Sequence, residues 1–114
     1  MASTERSRLT IHDAGDGVVV LVGEIDAATA PKLHRCLEHD PRIRVLDMAQ
    51  VTFMDSSGLG LIVESNQRAR KHGFRFAIAV GGASDVHRIL EMSGLTKVLV
   101  FADDPDAFLA GGDA

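Results

Sequence analysis

Polar and hydrophobic residues alternate near the start of the chain and then give way to an unbroken apolar stretch, a pattern that predicts a β-hairpin. Leu9 and Ile11 alternate with polar residues, as in a strand that buries one face. The β-branched stretch 18–22 is typical of a strand that is buried on both faces. Between them, segment 13–17 contains two glycines and two aspartates, and we expect it to form the turn.

Beyond the hairpin, helical and strand-like spacings of apolar residues follow one another in turn. Helices are predicted at 26–38, 56–72, 84–94 and 104–109, and strands at 43–48, 74–80 and 98–101. Such alternation indicates parallel strands joined by right-handed crossovers. The pattern therefore predicts an α/β fold with one mixed, mostly parallel sheet of about five strands, an N-terminal hairpin and about four helices.

The ends and faces of the helices can also be predicted from single residues. Pro31 suits the first turn of the first helix, since that turn does not use its missing N–H. In the second helix, apolar residues at helical spacing predict a buried face formed by Leu59, Ile62 and Val63. Asn66 and Ala69 would continue this face further along the helix. In the third, Ser84 is a candidate N-terminal cap.

The length of 114 residues suits one domain. Residues 1–7 are polar and lack any periodicity, so we expect a flexible N-terminus there. The domain is predicted to span 8–110, and residues 111–114 are predicted to be a flexible C-terminus.

Charge and composition exclude several classes of function. The net charge is −4 and no run of Lys or Arg occurs, which argues against a nucleic-acid surface. No apolar stretch is long enough to predict a membrane span. The single cysteine, Cys36, rules out an internal disulfide and suits a reducing cytoplasm. Because it lies beside an apolar helix face, we interpret it as a core thiol rather than a redox sensor.

The junction between the third strand and the second helix carries the most unusual residues of the chain. Asp55, Ser56 and Ser57 stand where the helix begins, a position that favours their oxygens as hydrogen-bond acceptors. Gly58 and Gly60 follow within the first turns, although each costs a helix about 1 kcal/mol relative to alanine. These residues are compatible with a helix cap, close packing of the glycines, an anion site, a contact surface or a phosphorylation switch at Ser56.

A serine nucleophile and a metal site both fit the sequence poorly. Ser56 lacks the Gly-x-Ser-x-Gly spacing of a nucleophile elbow, and His72 stands at the far end of the same helix, about 20 Å or more away. His34, Cys36 and His39 lie close in sequence, but carboxylates with the geometry to complete a metal site are not evident. We therefore predict neither an enzyme nor a metal or cofactor site.

Four motifs in register resemble one known family. Residues 54–60, Met-Asp-Ser-Ser-Gly-Leu-Gly, resemble the phosphorylation motif of the bacterial anti-sigma-factor antagonists, which are small single-domain STAS proteins. Residues 23–26, 46–48 and 92–95 resemble the family's motifs after the second strand, in the central strand and after the third helix. The resemblance covers most of the chain, from about 9 to 109, and implies the STAS fold.

The resemblance also implies a regulatory function. The unphosphorylated protein would bind an anti-sigma factor, itself a serine kinase with the histidine-kinase-like ATPase fold, and so release the sigma factor in a stress response. Phosphorylation of Ser56 would end this binding, and a PP2C-type phosphatase would restore it. Asp26 matches the family's acidic residue near the phosphorylated serine. The other residues expected to bind the partner or shape the site are Asp55, Ser57, Gly58, Leu59 and Gly60.

Two alternatives remain at this stage. The helix start could bind a small ligand or nucleotide phosphate, or the chain could be a scaffold subunit without a switch. The free protein is expected to be a cytoplasmic monomer that contacts neither nucleic acid nor membrane.

Overall fold

The structure is a computed structural model that describes residues 8–40, 42–80, 85–94, 97–102 and 104–111. The described residues form five strands and four helices, which alternate after an initial hairpin. In chain order they are β1 Leu9–Gly15, β2 Val18–Ile25, α1 Ala30–His39, β3 Val45–Met54, α2 Ser56–Lys71, β4 Ala77–Ala79, α3 Asp85–Met92, β5 Val100–Ala102 and α4 Pro105–Gly111.

The five strands form one sheet whose spatial order, β1-β2-β3-β4-β5, is also their order in the chain. β1 and β2 are antiparallel, and every later pair is parallel. The predicted α/β fold is therefore confirmed, including the hairpin and the mostly parallel sheet.

The sheet is covered on both faces, but unequally. The larger core cluster joins one face of the sheet to residues of α1, α2 and α3, among them Leu33, Ile62 and Leu90. A smaller cluster on the opposite face contains Val18 and Val45, and α4 packs against it. Val18 and Val19 belong to different clusters, as the alternation of side chains along a strand requires.

The hairpin differs from its prediction at both ends. β1 continues to Gly15, so only residues 16 and 17 form the turn, and the register shifts between Asp13 and Gly15. β2 does not stop at residue 22 but runs on to Ile25, because β3 continues to pair with it as far as Met54. The predicted strand 43–48 is likewise one long strand, Val45–Met54.

The first helix begins four residues later than predicted. The Asp26 carboxylate accepts the backbone N–H groups of Ala28 and Thr29, at 2.9 and 3.1 Å. These bonds hold the segment as a turn, and α1 starts only at Ala30. Pro31 lies in its first turn, as predicted.

The remaining boundaries shift by a few residues. β4 and β5 are only three residues long, although residues 76–80 are all buried. α4 extends to Gly111 and therefore includes the first residue of the predicted flexible end; its cap is Asp104, whose carboxylate accepts the N–H of Ala107 at 2.8 Å. The predictions for residues 1–7, 112–114, Ser84 and Leu95 lie outside the described residues.

Candidate functional site

The ends of β2 and β3 bring two acidic residues together at one edge of the sheet. Ile25 and Met54 are register partners, and the N–H of Asp55 donates to the carbonyl of Ile25 at 3.1 Å. Asp26 and Asp55 follow these two strand ends directly, so two residues from separate motifs lie side by side. This is the edge from which α2 begins.

Asp55 caps α2. Its backbone is extended, and its carboxylate accepts the N–H of Ser57 at 2.9 Å. Its carbonyl accepts the N–H of Gly58 at 3.0 Å. Of the residues that the sequence left as candidate caps, Asp55 therefore performs this role.

Ser56 is the first residue of α2, is exposed, and makes no side-chain hydrogen bond to any residue that the structure describes. Ser57 comes next and is half-buried. The exposed hydroxyl at the positive end of a helix is thus available to an incoming molecule, since the cap does not use it.

We expect Asp55→Ala to lower the free energy of unfolding by about 1 kcal/mol, because it removes the cap. Ser56→Ala should change it by less than about 0.5 kcal/mol, since this side chain is exposed and bonds to none of the described residues. Denaturant unfolding of both variants measures the difference. An equal loss in the two variants would show that the Ser56 hydroxyl also caps the helix.

The two glycines of the motif have different surroundings. Gly58 is buried, and a Cβ there would lie 2.5 Å from Cγ of Met54 and 2.9 Å from Cγ2 of Ile25. Gly60 is exposed, and a Cβ there would meet nothing within 4 Å. Gly58 therefore lets the helix approach the two strand ends, whereas only Gly60 leaves bare backbone at the surface.

The buried face of α2 is rotated from the predicted one. It consists of Gly58, Ile62, Ser65 and Ala69. Leu59 and Val63, predicted as core residues, are only half-buried. Because Gly58 carries no side chain, hydropathy could not identify it as the first residue of this face.

Asp26 is bound within the fold rather than free. Arg8 Nη1 lies 2.7 Å from its Oδ2, and Nη2 lies 3.2 Å from its Oδ1. The guanidinium of Arg8 holds the pKa of the Asp26 carboxyl below its usual range, and the backbone N–H groups of Thr29 and Ala28 add to this effect. Arg8 also contacts Glu24 at 2.9 Å. Asp26 therefore shapes the turn that flanks the site.

Backbone geometry at Gly23 allows the Arg8 contacts to form. This residue has a φ of +118°, and a Cβ would collide with the carbonyl oxygen of Arg8. That carbonyl instead accepts the N–H of Glu24 at 2.8 Å. Glycine is required here because the left-handed conformation and the close approach both exclude a side chain.

Three neighbouring residues were missed at the sequence level. Arg8 follows the stretch predicted as flexible, and no local pattern shows its pairing with Asp26. Thr29 is buried; its hydroxyl donates to the carbonyl of Glu24 at 2.8 Å and accepts the N–H of Asp26 at 2.9 Å. Phe53 is 47% exposed beside the helix start. Its position next to the motif could have identified Phe53 from the sequence, because an exposed aromatic residue there is a candidate for partner contact.

Catalytic and metal chemistry find no support among the described residues. His72 is the C-terminal cap residue of α2, sixteen residues from Ser56, and its ring contacts the carbonyl of Arg68. Nε2 of His34 lies 3.6 Å from carboxylates of both Glu38 and Glu64. No group of three candidate metal ligands occurs in the part of the chain that is described. None of the described helices has the length and hydropathy needed to cross a bilayer.

Comparison with known proteins gives consistent matches. A family model described as the STAS domain matches residues 8–107. An anti-sigma-B factor antagonist of Listeria monocytogenes is 33% identical over 86 residues, which cover 71% of this chain and 74% of that protein. An anti-sigma F factor antagonist of Paenibacillus polymyxa is 33% identical over 98 residues, covering 82% and 83%. The crystal structure of an anti-sigma factor antagonist from Mycobacterium paratuberculosis is 28% identical, covers 90% of both chains and superposes with a TM-score of 0.73.

Proposed function

The chain belongs to the STAS-domain family, and we propose that it is an anti-sigma-factor antagonist that phosphorylation of Ser56 switches off. The unphosphorylated chain binds an anti-sigma factor that is also a serine kinase with the histidine-kinase-like ATPase fold. Binding releases the sigma factor, and a PP2C-type phosphatase reverses the modification. The observation that carries the proposal is the exposed hydroxyl of Ser56, which bonds to no described residue and stands beside a cap that Asp55 supplies.

Exposure favours Ser56 over its neighbour as the phosphate acceptor. A kinase must place the hydroxyl in line with the γ-phosphate and remove its proton. The Ser56 side chain projects from the first residue of the helix, whereas Ser57 is half-buried behind it. Modification at Ser56 therefore needs no unwinding of α2.

The fold can tolerate a phosphate at this position. Phosphoserine carries a charge of about −1.5 to −2 at neutral pH. At Ser56 this charge would stand at the positive end of α2, where anions are favoured. The switch therefore acts on the bound partner and not on the stability of the domain.

The surroundings of Ser56 indicate how a partner would detect the phosphate. Phe53 precedes the cap by two residues, Gly60 follows Ser56 by four, and both are exposed, so they offer an aromatic side chain and bare backbone for contact. A phosphate in the middle of such a contact would lose its water, and the guanidinium of Arg8 is already paired with Asp26. Asp55 adds negative charge next to it.

Kinase treatment followed by mass spectrometry tests the proposal. We expect a serine kinase that binds the chain to transfer one phosphate from ATP, and fragmentation to place it on Ser56. Ser57→Ala is the matched control and should accept phosphate as the wild type does, whereas Ser56→Ala should accept none. Phosphate on Ser57, or an unmodified chain with every kinase that binds it, would contradict the switch.

A further inference from the structure

A half-open cavity of about 670 Å³ lies at the opposite end of the sheet from Ser56. Its walls are the hairpin of β1 and β2, the last turns of α1 and the segment that leads into β3. The volume falls in the range of small-molecule sites. Its apolar part is formed by Ile11, Val19, Cys36 and Ile43.

The cavity exists because α1 covers only part of β1. Leu9 is fully buried, Ile11 is half-buried and Asp13 is exposed, although all three point to the same face of the strand. Their register partners on β2 include Leu21 opposite Ile11 and Val19 opposite Asp13. The helix therefore leaves the turn end of the hairpin uncovered, with an apolar floor below it.

The basic side chains at the mouth of the cavity make fewer bonds within the fold than the carboxylates do. Arg35 and His39, on the last turns of α1, are exposed, and neither has an ion pair or side-chain hydrogen bond among the described residues. The Nε of Arg42 lies 3.2 Å from Oδ1 of Asp40, and the Arg42 side chain is 76% exposed. The guanidinium nitrogens at the end of Arg42 therefore remain accessible.

Both carboxylates of the cavity are already hydrogen-bonded within the fold. Asp13 accepts the N–H of Gly15 at 2.9 Å. Asp40 accepts the backbone N–H of Arg42 at 2.9 Å as well as its side chain. These bonds from Arg42 hold the pKa of the Asp40 carboxyl below its usual range. These hydrogen bonds partly satisfy the two carboxylates, while the guanidinium groups of Arg35 and Arg42 remain accessible to an anion.

We propose that this cavity binds a small amphiphilic carboxylic acid, with its apolar body on Ile11, Val19 and Ile43 and its carboxylate between Arg35 and Arg42. An apolar floor with a few charged groups at the rim is the usual arrangement of a site for such a molecule. β3 separates the cavity from Ser56 by ten residues of extended chain, about 33 Å. The site is therefore distinct from the surface assigned to the anti-sigma factor.

A pair of probes with the same apolar body and opposite charge tests the proposal. The full chain, labelled with ¹⁵N, is titrated with 4-phenylbutyrate and separately with 4-phenylbutylamine. We expect saturable shifts of the amide signals around the cavity with the acid, at least about fivefold weaker binding of the amine, and no shifts around Ser56. Non-saturable shifts, equal binding of the two probes or shifts centred elsewhere would overturn the proposal.

Cys36 provides an independent readout because it is the only cysteine of the chain and lines the cavity. Burial raises the pKa of its thiol, and the negative charges of Asp13 and Asp40 add to this effect, so alkylation is measured at alkaline pH, where the thiolate forms. A saturating amount of 4-phenylbutyrate should slow alkylation several-fold. An unchanged rate at saturation would place the acid outside the cavity and overturn the assignment.

Arg35→Gln identifies the group that binds the carboxylate, and Arg70→Gln is its matched control. Both arginines are exposed on helices, but Arg70 lies on α2 and does not line the cavity. We expect Arg35→Gln to lower the affinity for 4-phenylbutyrate by about five- to tenfold, as the loss of a charge-assisted hydrogen bond would. Arg70→Gln should leave the affinity unchanged. Equal affinities in the two variants would refute the role of Arg35.

Discussion

The Ser56→Asp variant is expected to bind the anti-sigma factor at least about 100-fold more weakly than the unmodified chain, while its fold stays intact. A carboxylate at this position would add a second negative charge beside Asp55 in the contact with the partner, and a mismatched charge in an interface costs several kcal/mol. Each 1.4 kcal/mol corresponds to a tenfold change in affinity. Calorimetric titration of the variant against the same partner measures the loss.

Thermal unfolding separates this effect from a structural one. Aspartate at the first position of α2 interacts favourably with the helix dipole, so the melting temperature should stay within a few degrees of the wild type. Ser56→Ala is the neutral control and should keep the affinity of the wild type. Normal binding by Ser56→Asp would refute the charge mechanism, and a large fall in melting temperature would reassign Ser56 to the structure of the helix.

The Gly58→Val variant is expected to lose about 3 kcal/mol of stability. Its Cβ would be placed 2.5 Å from Cγ of Met54, and the branched methyl groups would press further on Ile25. Both neighbours are buried to 1% exposure or less, so they have little room to move. Overpacking of a core of this kind typically costs 1–3 kcal/mol, here a drop in melting temperature on the order of 10 °C.

Gly60→Ala is the control, and it is expected to stabilise the protein where Gly58→Val destabilises it. It lies two residues further along the same helix, and an added Cβ meets nothing within 4 Å. Alanine should therefore raise the free energy of unfolding by up to about 1 kcal/mol through its higher helix propensity. Calorimetry of both variants provides the comparison. Similar losses in the two would show that the glycines share one structural role.

The hairpin, the alternation of helices and strands and the parallel sheet could be predicted because each depends on local periodicity. The start of α1 could not, because helical spacing extends back to Asp26 while a side-chain bond to the backbone competes with the helix there. β3 was predicted too short for a similar reason. Ala49 and Gln50 interrupt the hydrophobic pattern, but pairing with β2 resumes at Gln50 after a register shift and continues to Met54.

The candidate site was predicted in part. Asp55, Ser56 and Gly58 are adjacent in sequence, so the motif placed them at the helix start, and the register of β2 and β3 then brings Asp26 beside Asp55. Arg8 and Asp26 pair although they lie eighteen positions apart, and the positive φ of Gly23 allows the chain to come close enough for this contact. No local pattern encodes such a contact. The burial of Gly58 was hidden as well, since hydropathy assigns no face to a residue without a side chain.

The agreement between strand order and chain order has a consequence for synthesis on the ribosome. Every strand pairs with the strand made just before it: Val18 with Val45, Val45 with Ala77, and Ala77 with Val100. A nascent chain can therefore extend the sheet outward from the hairpin, one strand at a time, without waiting for a distant C-terminal segment. Translation at about 5–20 residues per second leaves about a second or more between the strands that follow the hairpin. The growing edge is thus filled in the order of synthesis, which shortens the exposure of unpaired strand to other chains.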